Sequence, residues 1–99
     1  MFIFKLKHVK SPEEIQKFLP LHFRYLDAHY ETREFLCSGR TVPPGGGIIL
    51  CSVPTREAAE ALMVQDPFYT EGISEYEIIE FEATKALEDF RTLLQQEAK

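Results

Sequence analysis

An imidazole and a carboxylate are a minimal pair of side chains for moving protons, and this chain offers one such pair at a distance. His22 lies on an amphipathic stretch, and an Asp66-Pro67-Phe68 elbow follows 44 residues later, after a second predicted helix. A histidine ring ordinarily titrates near neutrality, so it both accepts and donates protons at physiological pH. A carboxylate beside it would orient the ring, fix its tautomer and stabilise the imidazolium. The expected chemistry is proton transfer, with His22 as the acid–base group and Asp66 as its partner. The competing structural readings are a partly exposed helix histidine and an Asp-Pro that merely starts a turn. Asp66 falls at the end of a predicted helix, where the macrodipole disfavours a carboxylate. A residue that breaks a local rule is a candidate for function.

Other chemistries find less support. His29 lies two helical turns from His22, about 10 Å along the axis, so one metal cannot bind both. Neither Cys37 nor Cys51 has a CxxC partner, and no metal site is expected. Gly45-Gly46-Gly47 is followed by no Lys-Ser/Thr and leads into a strand, which excludes a phosphate loop. No cofactor is therefore expected. Ser38 and Arg40 project to the same side of a predicted strand. If that side faces a cavity, they could hold a substrate carboxylate or enolate oxygen. The competing reading for Arg40 is a solvated strand end. Phe68, with Tyr25, Tyr30 and Tyr69, could line a pocket or simply fill the core. His29 reads as a structural or interface residue.

The elements that must position these groups follow from periodicity. Phe2, Phe4 and Leu6 alternate with Ile3, Lys5 and Lys7, the period of a strand. Ser11-Pro12-Glu13-Glu14 is a capping box with proline at the first helical position. Pro20 removes a backbone donor and disfavours helix at Leu19, which predicts a short turn at 12–18 and a new helix from Pro20 to about Thr32. His22, Leu26 and His29 share one face of that helix. Phe35–Thr41 and Gly47–Val53 read as strands joined through Pro43-Pro44-Gly45-Gly46. Thr55 caps a helix reaching Gln65 that buries Ala58, Ala59, Leu62 and Met63, and Pro67 ends it. Glu75–Phe81 is a fourth strand.

The order β-α-β-β-α-β is the ferredoxin-like plan, an α+β fold with one four-stranded antiparallel sheet and helices on one face. The domain spans residues 1–82. An extra C-terminal amphipathic helix follows in 83–99, with Ala86, Leu87, Phe90, Leu93 and Leu94 on one stripe. Ile3, Leu36, Ile48, Leu50, Ile79 and Phe81 can occupy the sheet face that the helices leave open. An apolar open face is usually covered by a partner. A two-fold homodimer through that face would enclose a semi-apolar cavity in each subunit, and the terminal helix could brace either subunit.

Composition narrows the partners. With 16 Asp/Glu against 11 Lys/Arg, a net charge of −5 argues against nucleic acid, which requires a basic patch. The longest apolar runs fall far short of the roughly 20 residues that span a bilayer, so no membrane role is expected. Met1–Lys7 alternates instead of forming an apolar block, which predicts no leader and a cytoplasmic location. The two cysteines are then expected to be reduced, although neighbouring strands could set them opposite each other.

His22 with Tyr25-Leu26, Phe35-Leu36-Cys37-Ser38-Gly39, the Gly46-Gly47 strand entry and Asp66-Pro67-Phe68 stand in an order and spacing that resembles the YCII-related (YciI-like) family. The resemblance covers about Met1 to Phe81. It implies a dimeric α+β barrel of ferredoxin-like subunits and a His–Asp dyad carried here by His22 and Asp66. The family is similar in fold to muconolactone isomerases, and one branch eliminates chloride from a chlorinated hydroxyhydroquinone. Two departures stand out: Arg40 occupies a position that is commonly proline, and the tail after Phe81 extends past the usual end. The function expected is a cofactor-independent lyase- or isomerase-type enzyme acting on a small molecule. The alternative is a non-catalytic dimeric ligand-binding or accessory module in the same cavity.

Overall fold

The structure is a computed structural model that describes residues 1–97. Strand β1 (Phe2–His8) runs through the middle of the sheet, paired antiparallel to β3 (Gly46–Cys51) on one side and β4 (Ser74–Glu80) on the other. Strand β2 (Phe35–Arg40) completes the order β2-β3-β1-β4, the expected ferredoxin-like sheet. Alternation sorts its side chains by face. Phe2, Phe4 and Leu6 point under the helices and are buried, whereas Lys5 and Lys7, on the alternate positions, are exposed. Ile49 and Cys51 of β3 and Phe35 of β2 join them in one core.

Helix α1 (Pro12–Glu31) is a single helix of 20 residues. The Ser11 cap accepts from the Glu14 amide, as expected. The break expected at Pro20 does not occur. Proline deprives the Gln16 carbonyl of its donor, but Gln16 and Pro20 both lie on the exposed side, where water can satisfy that oxygen. The opposite side buries His22 and Tyr25 and packs Ile15, Phe18, Leu19 and Leu26 against the core, which holds the helix together through the proline.

Helix α2 (Arg56–Met63) starts at the Thr55 cap and buries Ala59 and Leu62. It stops before Gln65. Pro67 does not simply end it: Pro67 is the first residue of a separate short helix, α3 (Pro67–Thr70). Helix α4 (Glu88–Glu97) starts later than the expected residue 83, and the expected end at 98–99 lies outside the described residues. Its Leu93 shares a small hollow with Tyr30, Phe35 and Leu36 of the same chain, whereas Leu87, ahead of the helix, is 76 % exposed.

Two details of the sheet bear on function. Its pairing slips between Phe35 and Cys37, so that Leu36 is an extra residue in β2. Cys37 consequently lies opposite Leu50, while Cys51 lies opposite Phe35 on the other face, and both thiols are free. Gly46 packs so closely on β1 that a Cβ there would sit 2.0 Å from the Leu6 carbonyl oxygen. Only glycine fits without moving one strand.

A polar clasp holds the end of α1 to β2. His29 Nδ1 lies 2.8 Å from Glu34 Oε1, and its Nε2 lies 3.0 Å from Gln65 Oε1. The Thr32 hydroxyl donates to the same Glu34 carboxylate. Burial pushes the Glu34 carboxyl up, but the bonds from Thr32 and His29 and the His29 charge outweigh it, leaving Glu34 below the usual carboxylate range.

Gly46→Ala is expected to destabilise the fold by about 1–3 kcal/mol or more, the range for overpacked sites, measured as a lowered urea midpoint. A depressed carboxyl pKa stabilises the folded state above the unfolded value, and that contribution is lost as pH falls through the folded value. Glu34→Gln should therefore narrow the gap in urea midpoint between about pH 7 and about pH 4, the span over which carboxylates titrate.

Candidate functional site

The Asp66-Pro67-Phe68 elbow owes its shape to local rules. Asp66 is extended (φ −74°, ψ 124°) and caps α3, its Oδ1 accepting the Phe68 amide at 2.9 Å. Pro67 takes the first helical position, where a missing N–H does no harm. The expectation that Asp66 sits unfavourably at a helix C-terminus is therefore corrected. The chain has already left α2, and the carboxylate begins the next helix, where aspartate is among the favoured residues.

Having capped α3, the same oxygen reaches across to α1. His22 Nδ1 lies 2.8 Å from Asp66 Oδ1. Tyr76, on the helix-facing side of β4, donates its hydroxyl to Asp66 Oδ2. Asp66 is 0 % exposed and His22 8 %. The Phe68 ring forms a shelf parallel to the imidazole, with centroids 4.1 Å apart and planes 3° from parallel. Proximity of two groups 44 residues apart is thus a consequence of one helix face, one cap and one strand residue meeting beneath α1.

Protonation follows from the partners. An ionised carboxylate can only accept, so Nδ1 of His22 carries the proton in this contact. Nε2 bonds to no described residue, yet no buried side-chain nitrogen or oxygen among the described residues is left unsatisfied, so Nε2 is not sealed from the cavity side. A neutral imidazole in this tautomer offers a lone pair at Nε2. Burial, reinforced by the Asp66 charge, pushes the hydroxyl of Tyr76 far above the usual phenol range, and the same two causes raise Tyr25. Both remain neutral donors, Tyr76 to Asp66 and Tyr25 to the Leu62 carbonyl at 2.8 Å.

His22 opens into a cavity of about 590 Å³ between α1 and the β2–β3 end of the sheet. Ser38, Arg40 and Phe68 line it too, so these three and His22 share the wall with Asp66 beneath, whereas Tyr25, Tyr30 and Tyr69 do not line it. The bulge at Leu36 is what turns Ser38 and Arg40 toward the helices. Ser38 lies opposite Ile49 and Arg40 opposite Gly47, on the face that carries Phe35. The Ser38 hydroxyl is engaged with Tyr30 at 2.6 Å. Arg40 is exposed and makes no ion pair among the described residues.

The sequence reading missed two contributors. Tyr76 was legible as a polar residue on the buried face of β4, since a buried tyrosine hydroxyl needs a partner. His8, the last residue of β1, also lines the cavity, so the site holds two imidazoles rather than one. Its Nδ1 lies 2.7 Å from Ser74 Oγ, and its ring meets Phe68 edge-on at 5.5 Å. Burial, then the His22 charge, lowers the His8 pKa below the usual imidazole range against the opposing pull of Asp66. Among the described residues no three His, Cys, Asp or Glu side chains converge to hold a metal ion. His29 is committed to Glu34 and Gln65.

Comparison with known proteins gives one family and a structural neighbour. The neighbour is the 5-chloro-2-hydroxyhydroquinone dehydrochlorinase of Burkholderia phenoliruptrix AC1100, solved in complex with 2,5-dihydroxybenzoquinone. It superposes with a TM-score of 0.68 at 12 % identity, covering 83 % of this chain and 94 % of its own. At that identity the likeness concerns the fold. No curated protein matches the sequence. The family model for the YCII-related domain matches residues 1–82, and the chain belongs to that family.

Proposed function

We propose that this protein is a cofactor-independent small-molecule enzyme of lyase or isomerase type, with His22 as its acid–base group and Asp66 as the residue that orients it. The observation that carries this reading is an imidazole anchored at Nδ1 by a buried carboxylate while its Nε2 stays free at the wall of a cavity. In the reaction, Nε2 would take a proton from an acidic C–H or O–H of the substrate. The freed electron pair would enter a neighbouring carbonyl or expel a leaving group, and the proton would return at the end of the cycle. Phe68 holds the ring plane, and Tyr76 shares the charge of Asp66.

The cavity's chemistry favours an electron-rich, oxygenated substrate. Although the chain carries 16 Asp/Glu, none of the residues lining the cavity is acidic. Arg40 and Ser38, both at the wall, would bind a carboxylate or enolate oxygen, and the remaining wall is largely apolar. The neighbour's chlorinated hydroxyhydroquinone is a molecule of this kind, and a planar oxygenated ring or lactone is the substrate class proposed here.

We also propose a homodimer through the open sheet face. Ile3, Ile48 and Leu50 are only half-buried there, and Ile79 and Phe81 are each 40 % exposed. A second copy of the same face would remove this apolar surface from water.

Turnover of 5-chloro-2-hydroxyhydroquinone and of muconolactone by the purified protein tests the enzyme reading. His22→Ala should lower kcat by ~10²–10⁴, the contribution of one positioned acid–base group. Asp66→Asn, which keeps a cap but sets an amide donor among groups that donate to the carboxylate, should lower kcat and lower the urea midpoint as well. Turnover undiminished in His22→Ala would remove the reading, and binding of 2,5-dihydroxybenzoquinone without turnover of either compound would favour an accessory module. For the dimer, light scattering should give twice the 11.5 kDa chain mass and fall to the single-chain value in Ile79→Asp. A single-chain mass for the unaltered protein would refute it.

A further inference from the structure

The cavity wall carries two imidazoles built on the same plan but anchored to different chemistry. Each packs against Phe68, His22 face to face and His8 edge-on. Each is fixed through Nδ1, and each Nε2 bonds to no described residue while staying accessible. The anchors differ in charge. Asp66 is a fully buried carboxylate 2.8 Å from its ring. Ser74 is a hydroxyl, 4 % exposed and directly opposite His8 across the β1–β4 ladder, and it offers no charge to support an imidazolium. A second positive ring beside a protonated His22 would also be repelled. One ring is thus backed by a carboxylate, and the other by an uncharged hydroxyl.

We propose that His8 is a second catalytic group of this cavity, a neutral imidazole that donates from Nε2–H to the substrate oxygen on which negative charge develops when His22 removes a proton. The proposal rests on the acid–base reading of His22 given above. As the C–H bond breaks, its proton passes to His22 Nε2 and its electron pair enters the adjacent carbonyl. Negative charge then appears on the carbonyl oxygen, and His8 Nε2–H bonds to it without giving up its proton. No oxidant or further reactant is needed. With the Ser74 hydroxyl as donor to Nδ1, the proton of His8 lies on Nε2. A neutral imidazole is well matched to this task, because a donor that keeps its proton stabilises an enolate without quenching it. The depressed pKa of His8 agrees with that state. The substrate class narrows accordingly to small molecules with an acidic hydrogen next to a carbonyl or quinone oxygen.

The test uses 4-nitrophenolate as an oxyanion probe and nitrobenzene as its uncharged control. His8→Ala should weaken phenolate binding roughly 10–100-fold, the effect of one hydrogen bond to a charged acceptor, and leave nitrobenzene binding unchanged. His8→Gln, which keeps an N–H donor, should recover part of the loss. Nitrogen-15 NMR of the ring, at about pH 7 where the donor must be neutral, should find His8 protonated on Nε2 and bare on Nδ1. A proton on Nδ1, a charged ring, equal phenolate affinity in His8→Ala, or no phenolate binding by the unaltered protein would each overturn the proposal. These readouts need no turnover. They therefore succeed or fail separately from the His22→Ala test, and loss of turnover in His22→Ala with an indifferent His8→Ala would reject the role of His8 alone.

Discussion

The structure is organised around a buried carboxylate that accepts three hydrogen bonds from three directions. Asp66 is completely sealed from solvent and receives the Phe68 amide from α3, the His22 ring from α1 and the Tyr76 hydroxyl from β4. An ionised group in such a place is tolerated only when its lone pairs are occupied, and losing one partner of a buried pair typically costs about 3–5 kcal/mol. The requirement acts on geometry as well as energy. It fixes how far α1 can slide along the sheet and where the turn after α2 must stand. The imidazole at the cavity wall is therefore placed by a constraint that the whole domain shares, which suits a group whose orientation has to be held within narrow limits.

Much of this arrangement was legible in the sequence, and the parts that were not share a cause. The alternation of Phe2, Phe4 and Leu6 gave the central strand, and the Ser11 and Thr55 caps gave the helix starts. Both are local rules that the fold has no reason to override. Pro20 misled because its consequence depends on which side of the helix it faces, and that becomes evident only when the buried side is known. Asp66 was misread by a few residues of chain: ending α2 at Met63 converts an ill-placed carboxylate into a cap. His8 escaped notice at the end of a strand whose preceding residues explain themselves as core, and its neighbour Ser74 comes from a strand 66 residues away. Ser38 and Arg40 were paired on one side of β2, but the side itself could not be chosen, since a single extra residue reverses it.

The electrostatics of the cavity run against those of the chain. An acidic protein surrounds a hollow whose polar lining is two histidines, an arginine, a serine and a glutamine, and the Asp66 carboxylate beneath it is tied up by its own donors. Such inversion raises the local concentration of anionic ligands without making the outside of the molecule adhesive to them. The shared fold of the quinone-binding neighbour supplies a scaffold but no residue roles, because the same scaffold hosts unrelated activities. The groups at this chain's own wall, Arg40 among them, are therefore what its chemistry has to be read from.

The extra residue at Leu36 divides β2 into two stretches of opposite phase. Upstream, Phe35 is committed to the core; downstream, alternate residues furnish the cavity. Moving the slip a few positions along the strand would trade serine and arginine for cysteine and glycine at the ligand surface while leaving every core residue untouched. Relocating one irregularity would thus change the chemistry of the cavity wall without a single substitution on the core face.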